Sequence, residues 1–123
     1  MTARIRGVGI DSVEIARMKR AYDRWGETFL KRIFTPEEVD YSFTKRNPFH
    51  SLAVRFAAKE AGYKALSQAG IRVRRWKDME VCRSAEGQPT LELAEDSGMI
   101  VHLSLSHTRD LAIAVVVAEV NHA

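Results

Sequence analysis

The order of apolar and polar positions along the chain predicts short strands at its two ends and a run of helices between them. "RIRGVGI" reads as a short strand, and its Gly7 and Gly9 would let another backbone or a ligand come close. At its end "DSVE" sets Asp11 three residues before Glu14, the spacing of a capping box at a helix start. In the helix predicted next, Ile15, Met18, Tyr22 and Trp25 recur at three- and four-residue steps as an apolar stripe. Arg17, Arg20 and Arg24 recur in the same way on the opposite side. Gly26 interrupts this helix and "ETFLKRIF" briefly resumes it. "TPEE" supplies a further start, with Thr35 as cap, Pro36 at the first position and Glu38 reaching back. That helix is expected to end before Pro48, and a long one to run from about Phe49 to about Ala69, stopped by Gly70.

The second half changes rhythm. "KDMEVCR" and "PTLELA" read as strands joined through the turn-rich "SAEGQP". "IVHLSLS" alternates, with Val101, Leu103 and Leu105 on one face and His102, Ser104 and Ser106 on the other. "LAIAVVVAEV" is nearly all apolar, which predicts a strand buried on both faces. Helices first and an antiparallel sheet later make the fold class α+β, with a long central helix packed on a mainly antiparallel sheet. No repeat or linker divides the chain, so residues 1–123 are expected to form a single domain.

Composition adds three constraints. No apolar run approaches the roughly 20 residues of a membrane helix, and the start lacks the long apolar stretch of a secretory signal. One cysteine, Cys82, cannot form an internal disulfide, which favours a reducing cytoplasm. A net charge of +3 suits an acidic partner: nucleic acid, a phosphorylated small molecule or an acidic protein.

The candidate chemistry is ambiguous residue by residue. On the long helix Ala53, Val54, Ala57, Ala58, Ala61 and Ala65 form a small-residue face, with Arg55 and Lys59 one turn apart on the opposite flank. Glu60 and Lys64 lie one turn apart at the edge of the alanine face. Locally the pair is better read as surface decoration, worth a few tenths of a kcal/mol. The alternative is a carboxylate for a metal with cations arranged for phosphate. Asp11 is either a helix cap or a metal ligand at a strand end. His107 is either a turn residue or a donor to phosphate, supported by the hydroxyls of Ser106 and Thr108. The arginine stripe is either a solvated face or a docking surface for an acidic helix or a phosphate backbone. A nucleophile elbow, zinc-ligand spacing and a P-loop are all missing from the sequence.

Taken together, three blocks resemble one family: "GVGIDSVEIARM", "RFAAKEAGYKAL" and "LSLSHTRDLAIAVVVAE", with a weaker "WKDMEV...GQP" between them. The family is the holo-acyl-carrier-protein synthases, the short type of 4'-phosphopantetheinyl transferase. It transfers 4'-phosphopantetheine from coenzyme A to a serine of an apo acyl carrier protein and releases 3',5'-ADP. The resemblance implies that Asp11 and Glu60 hold Mg²⁺ against the pyrophosphate and that Lys64 steadies the leaving group. It implies nucleotide or phosphate contacts for Arg55, Lys59 and His107, with Ser106 beside them, and a loop near the adenine at Gly87 and Pro89. Arg17, Arg20 and Arg24 would face the carrier. The implied enzyme is a cytoplasmic homotrimer of fatty acid biosynthesis with sites between subunits, and it needs neither a nucleic acid nor a membrane. Glu60, directly or through a metal-bound water, would take the serine proton. Two departures stand out: "SQAG" replaces a Gly-Thr-Gly type turn after Lys64, and Gly62 stands where a bulkier residue is usual. The competing class is a small basic domain that binds RNA or an acidic protein without catalysis; it would need the arginine stripe but not Asp11 and Glu60 together.

Overall fold

The computed structural model describes residues 4–121. Among these the elements run β1 (Ile5–Glu14), α1 (Ile15–Trp25), α2 (Glu27–Ile33), α3 (Pro36–Phe43) and α4 (Pro48–Gln68). A 3₁₀ turn (Trp76–Asp78), β2 (Met79–Arg83), β3 (Pro89–Leu93), β4 (Met99–His107) and β5 (Leu111–Val120) follow. β1, β5 and β4 form an antiparallel sheet in that order, and β2 and β3 form a separate hairpin. The α+β class is as the sequence predicts.

α4 is the spine. Its Ala53, Ala57, Ala58, Ala61 and Ala65 are fully buried, and so are Ala112, Ala114, Val116 and Ala118 of β5. Small residues on both surfaces bring helix and sheet close together. Gly7 and Gly9 take this furthest: a Cβ on either would lie 1.9 Å from a backbone carbonyl oxygen of α4, that of Ala65 or Ala61. The close approach predicted for these glycines is therefore to a backbone. Gly62, unexplained by its helix, faces the hairpin; a Cβ there would lie 2.6 Å from Leu91 Cδ2 and 3.2 Å from Met79 Sδ. The β2–β3 hairpin packs on α4 where that side chain would be.

Four expectations change. β1 does not stop at Asp11, because pairing with β5 continues through Asp11↔Ala114 to Glu14↔Leu111. Asp11 is thus a strand residue and not a cap. α1 has no side-chain cap, and the Ile15 N–H instead donates to the Asp110 carbonyl at 3.0 Å. Trp25 leaves the apolar stripe: it is 59% exposed, under the Arg24 guanidinium at 4.9 Å. β5 is buried on one face only, with Leu111, Ile113, Val115 and Val117 half-buried on the other. That outer face continues into Val8 and Ile10, which are 49% and 61% exposed. The "TPEE" capping box forms as predicted, and Val101, Leu103 and Leu105 pack on the core side of β4.

Candidate active site

The inward side of β1 carries Gly7, Gly9 and Asp11 towards α4, and there Asp11 meets Glu60. Lys64, one turn further along α4, donates to the Ile10 carbonyl at 3.0 Å and to Asp11 Oδ1 at 3.4 Å. Asp11 Oδ2 is buried and receives no donor from the described residues. Burial, and then the adjoining Asp11 carboxylate, push the Glu60 pKa up to about 7, against the pull of Lys64 and Arg17. Two desolvated carboxylates facing each other require a proton or a cation between them. An orphaned carboxylate oxygen beside a second carboxylate fits a divalent cation that completes its shell with phosphate and water. No cluster of three or more acidic, histidine or cysteine ligands occurs among the described residues, so the protein would supply only this pair.

Arg17 is exposed on α1 yet close enough to bear on Glu60, so the arginine stripe begins at the rim of the carboxylate pair. Arg20 and Arg24 continue it, both exposed.

A second group gathers on another flank of α4. Arg55 stands five residues before Glu60, which sets the two about 140° apart around the helix and about 7.5 Å apart along it. Arg55 is only 4% exposed and donates to Ser51 Oγ at 2.6 Å, while its Nε finds no acceptor among the described residues. It lines a cleft of about 380 Å³ with His107, His50, Tyr41, Lys45 and Arg83 among the other walls. His107 reaches the cleft from the end of β4, its ring edge-on to His50 at 5.7 Å. Ser106 does not follow it: it lies exposed on the outer sheet face, paired with Ile113. Gly87 lies in the β2–β3 turn and Pro89 opens β3 opposite Arg83, and the turn is tied to this region because Arg83 donates to the Gly87 carbonyl at 2.9 Å.

Lys59 is the clear correction. The resemblance implies a nucleotide contact, but its side chain is fully buried and its ammonium donates to Glu38 Oε1 at 2.5 Å. Carbonyls of Ile33 and Trp76 take two more bonds at 2.7 and 3.3 Å. Glu38 also caps α3 and accepts from the Val81 N–H at 2.8 Å, so one carboxylate joins α3, α4 and β2. Burial pulls the Lys59 pKa below its ordinary value, and Glu38 pushes against that. Lys59→Ala would strand the buried carboxylate and should cost about 3–5 kcal/mol in thermal or urea unfolding. Lys59→Met with Glu38→Gln should recover much of that loss. A cost below about 1 kcal/mol for the single change would contradict the buried pair.

Sequence reasoning missed Tyr41, Lys45, His50 and Arg83. The available signals were the Lys45–Arg46 pair just before α4 and the four-residue step from Ser51 to Arg55.

The fold has counterparts among known proteins. The model of the 4'-phosphopantetheinyl transferase superfamily matches residues 7–116, and the chain belongs to that superfamily. Its relatives there include holo-[acyl-carrier-protein] synthases. That of Chloroherpeton thalassium is 46% identical over 116 residues, 91% of this chain and 96% of its own. That of Chlamydia trachomatis serovar D is 47% identical over 118 residues, 92% of this chain and 98% of its own. Among solved structures, the Bacillus anthracis synthase in complex with CoA (3',5'-ADP) superposes with a TM-score of 0.81 at 35% identity. The match covers 96% of this chain and 99% of that one. The Helicobacter pylori synthase in complex with coenzyme A gives 0.78 at 31% identity, over 90% and 98%.

Proposed function

We propose that the protein transfers 4'-phosphopantetheine from coenzyme A to a serine of an apo acyl carrier protein, giving holo carrier and 3',5'-ADP. The observation that carries this reading is the meeting of Asp11 and Glu60 with Lys64 beside them. A binding domain for RNA or an acidic protein has no use for a desolvated carboxylate pair.

Asp11 and Glu60 would hold Mg²⁺, which when bound supplies positive charge to the pyrophosphate. Lys64 offsets the charge that grows on the departing phosphate. The carrier serine oxygen attacks the phosphorus bearing pantetheine, and the bond from that phosphorus to the bridging oxygen breaks. The bridging oxygen leaves with 3',5'-ADP, and Glu60 accepts the serine proton. Arg55 and His107 bind phosphate in the second cleft, and Gly87 and Pro89 shape a loop beside it. Arg17, Arg20 and Arg24 receive an acidic surface of the carrier next to the reacting atoms.

The two groups lie on different flanks of α4, so we infer that the complete site forms between copies, in a homotrimer as the resemblance implies. The apolar outer sheet face of Val8, Ile10, Val115 and Val117 suits cover by a second copy. A cytoplasmic place accords with the free Cys82, and a role in fatty acid biosynthesis is what the resemblance implies. No helix among the described residues is long and apolar enough to cross a membrane.

The test is to incubate the protein with coenzyme A, Mg²⁺ and several apo carrier proteins, then weigh the carriers. A gain of one phosphopantetheine per carrier, absent with EDTA, is expected. No gain with any carrier would overturn the reading.

A further inference from the structure

Tyr41 sits where three cations from three different segments converge. Arg55 of α4 lies over its ring at 4.4 Å, Lys45 of the α3–α4 connection at 4.6 Å and Arg83 of β2 at 5.5 Å. None of the three forms an ion pair with a carboxylate among the described residues, although Glu38 acts on Arg55 from further away. Like charges this close repel one another, and the electron-rich face of the ring offsets that repulsion at their meeting point, while Arg55 also bonds to Ser51 Oγ and Arg83 to the Gly87 carbonyl. The phenol also feels them: burial pushes its pKa up, but Lys45 and Arg83 more than reverse this, leaving it below the ordinary tyrosine value.

The cations enclose a place for an anion. The cleft wall contains Arg46, Asn47, His50 and His107 besides them, and no aspartate or glutamate among the described residues. Arg55 is almost wholly buried, yet its Nε has no acceptor among the described residues. Such a donor calls for an acceptor from a ligand. A guanidinium with one side on an aromatic ring and open N–H groups is set for phosphate oxygens.

We propose that Tyr41 is a positioning residue of the coenzyme A site, gathering Arg55, Arg83 and Lys45 into one clamp for a phosphate group of the coenzyme. The inference rests on the transferase reading given above. It adds a residue whose ring carries the three cations, with its hydroxyl as a further contact to them. What matters is the ring, because the ring binds the cations. A leucine would fill similar space but would let the three charges spread apart.

The experiment measures steady-state transfer to a fixed apo carrier protein, together with Kd for coenzyme A and for dephospho-coenzyme A by calorimetry. Tyr41→Leu should raise KM and Kd for coenzyme A about tenfold or more, with kcat within about twofold of the parent. Tyr41→Phe keeps the ring and should stay within about threefold in both. If Tyr41→Leu does not fold, the unbranched Tyr41→Met serves in its place. A loss seen with coenzyme A and not with dephospho-coenzyme A supports a clamp on the phosphomonoester. Equal losses with both support a clamp on the pyrophosphate. Unchanged Kd in Tyr41→Leu with normal transfer overturns the role of Tyr41 and leaves the transferase reading intact. So does a fall in kcat and melting temperature without a change in Kd, since that marks a purely structural residue. A parent protein that binds neither coenzyme nor dephospho-coenzyme overturns both.

Discussion

Asp11→Asn and Glu60→Gln should each reduce phosphopantetheine transfer by at least about 10³-fold while the protein stays folded. Both substitutions keep shape and remove charge. What they take away is the paired negative charge that attracts a divalent cation, and two ligands are too few for either to be spared. Stability should move the other way. Without metal, Asp11 Oδ2 is buried with no donor from the described residues, and Glu60 adds a second acceptor beside it. The amide introduced by Glu60→Gln can donate into that gap. At pH 8 without metal, the variant should melt at or above the temperature of the parent. Lost activity with equal or greater stability is the mark of a residue kept for function. Retention of more than about a tenth of the activity by either variant would remove the carboxylates from the metal site.

What could be read from the sequence divides along physical lines. Signals confined to one element survived: the capping box at Thr35, the alternation of β4 and the alanine face of α4 are set by neighbours within a few residues. Signals that depended on a distant partner did not. The "DSVE" spacing matched a helix cap, but eight consecutive pairs from Gly7 to Glu14 across to β5 outcompete one side-chain cap. Lys59 shares a flank with Arg55 in projection, yet its partner is Glu38, 21 residues earlier and in another helix. Nothing in the spacing along α4 tells a phosphate-binding lysine from one buried in an ion pair. The apolar run of β5 predicts cover on both faces; the described residues bury one and leave the other half-buried.

The site followed the same division. Asp11, Glu60 and Lys64 were read through motifs whose meaning depends on their joint presence, and the fold places them together. The cation cluster on Tyr41 escaped because it joins three segments with no shared pattern. Gly62 was legible only as a cost to the helix, since its reason lies in Leu91 and Met79 on the hairpin.

The second large effect comes from a residue with no side chain. Gly9→Ala should lower stability by about 3 kcal/mol or more, a large share of the 5–15 kcal/mol that holds a domain of this size together. The added Cβ would lie 1.9 Å from the Ala61 carbonyl oxygen, 2.8 Å from its carbon and 3.0 Å from the Ala65 nitrogen. All three are backbone atoms inside a helix, so no rotamer change relieves the overlap. Either β1 or α4 must move, by more than about 1 Å to reach ordinary contact. Such a shift opens gaps around Ala57, Ala58 and Ala114, which are fully buried. It also acts on the site, because Glu60 immediately precedes the residue struck and is drawn away from Asp11. Melting temperature and transfer activity should therefore fall together, in contrast to the carboxylate variants. Adding Ala61→Gly to Gly9→Ala should restore neither, since the obstruction is the carbonyl of that residue and not its methyl group. Rescue by Ala61→Gly would show that β1 and α4 meet through side chains, and that the glycines of the first strand are not what brings Asp11 to Glu60.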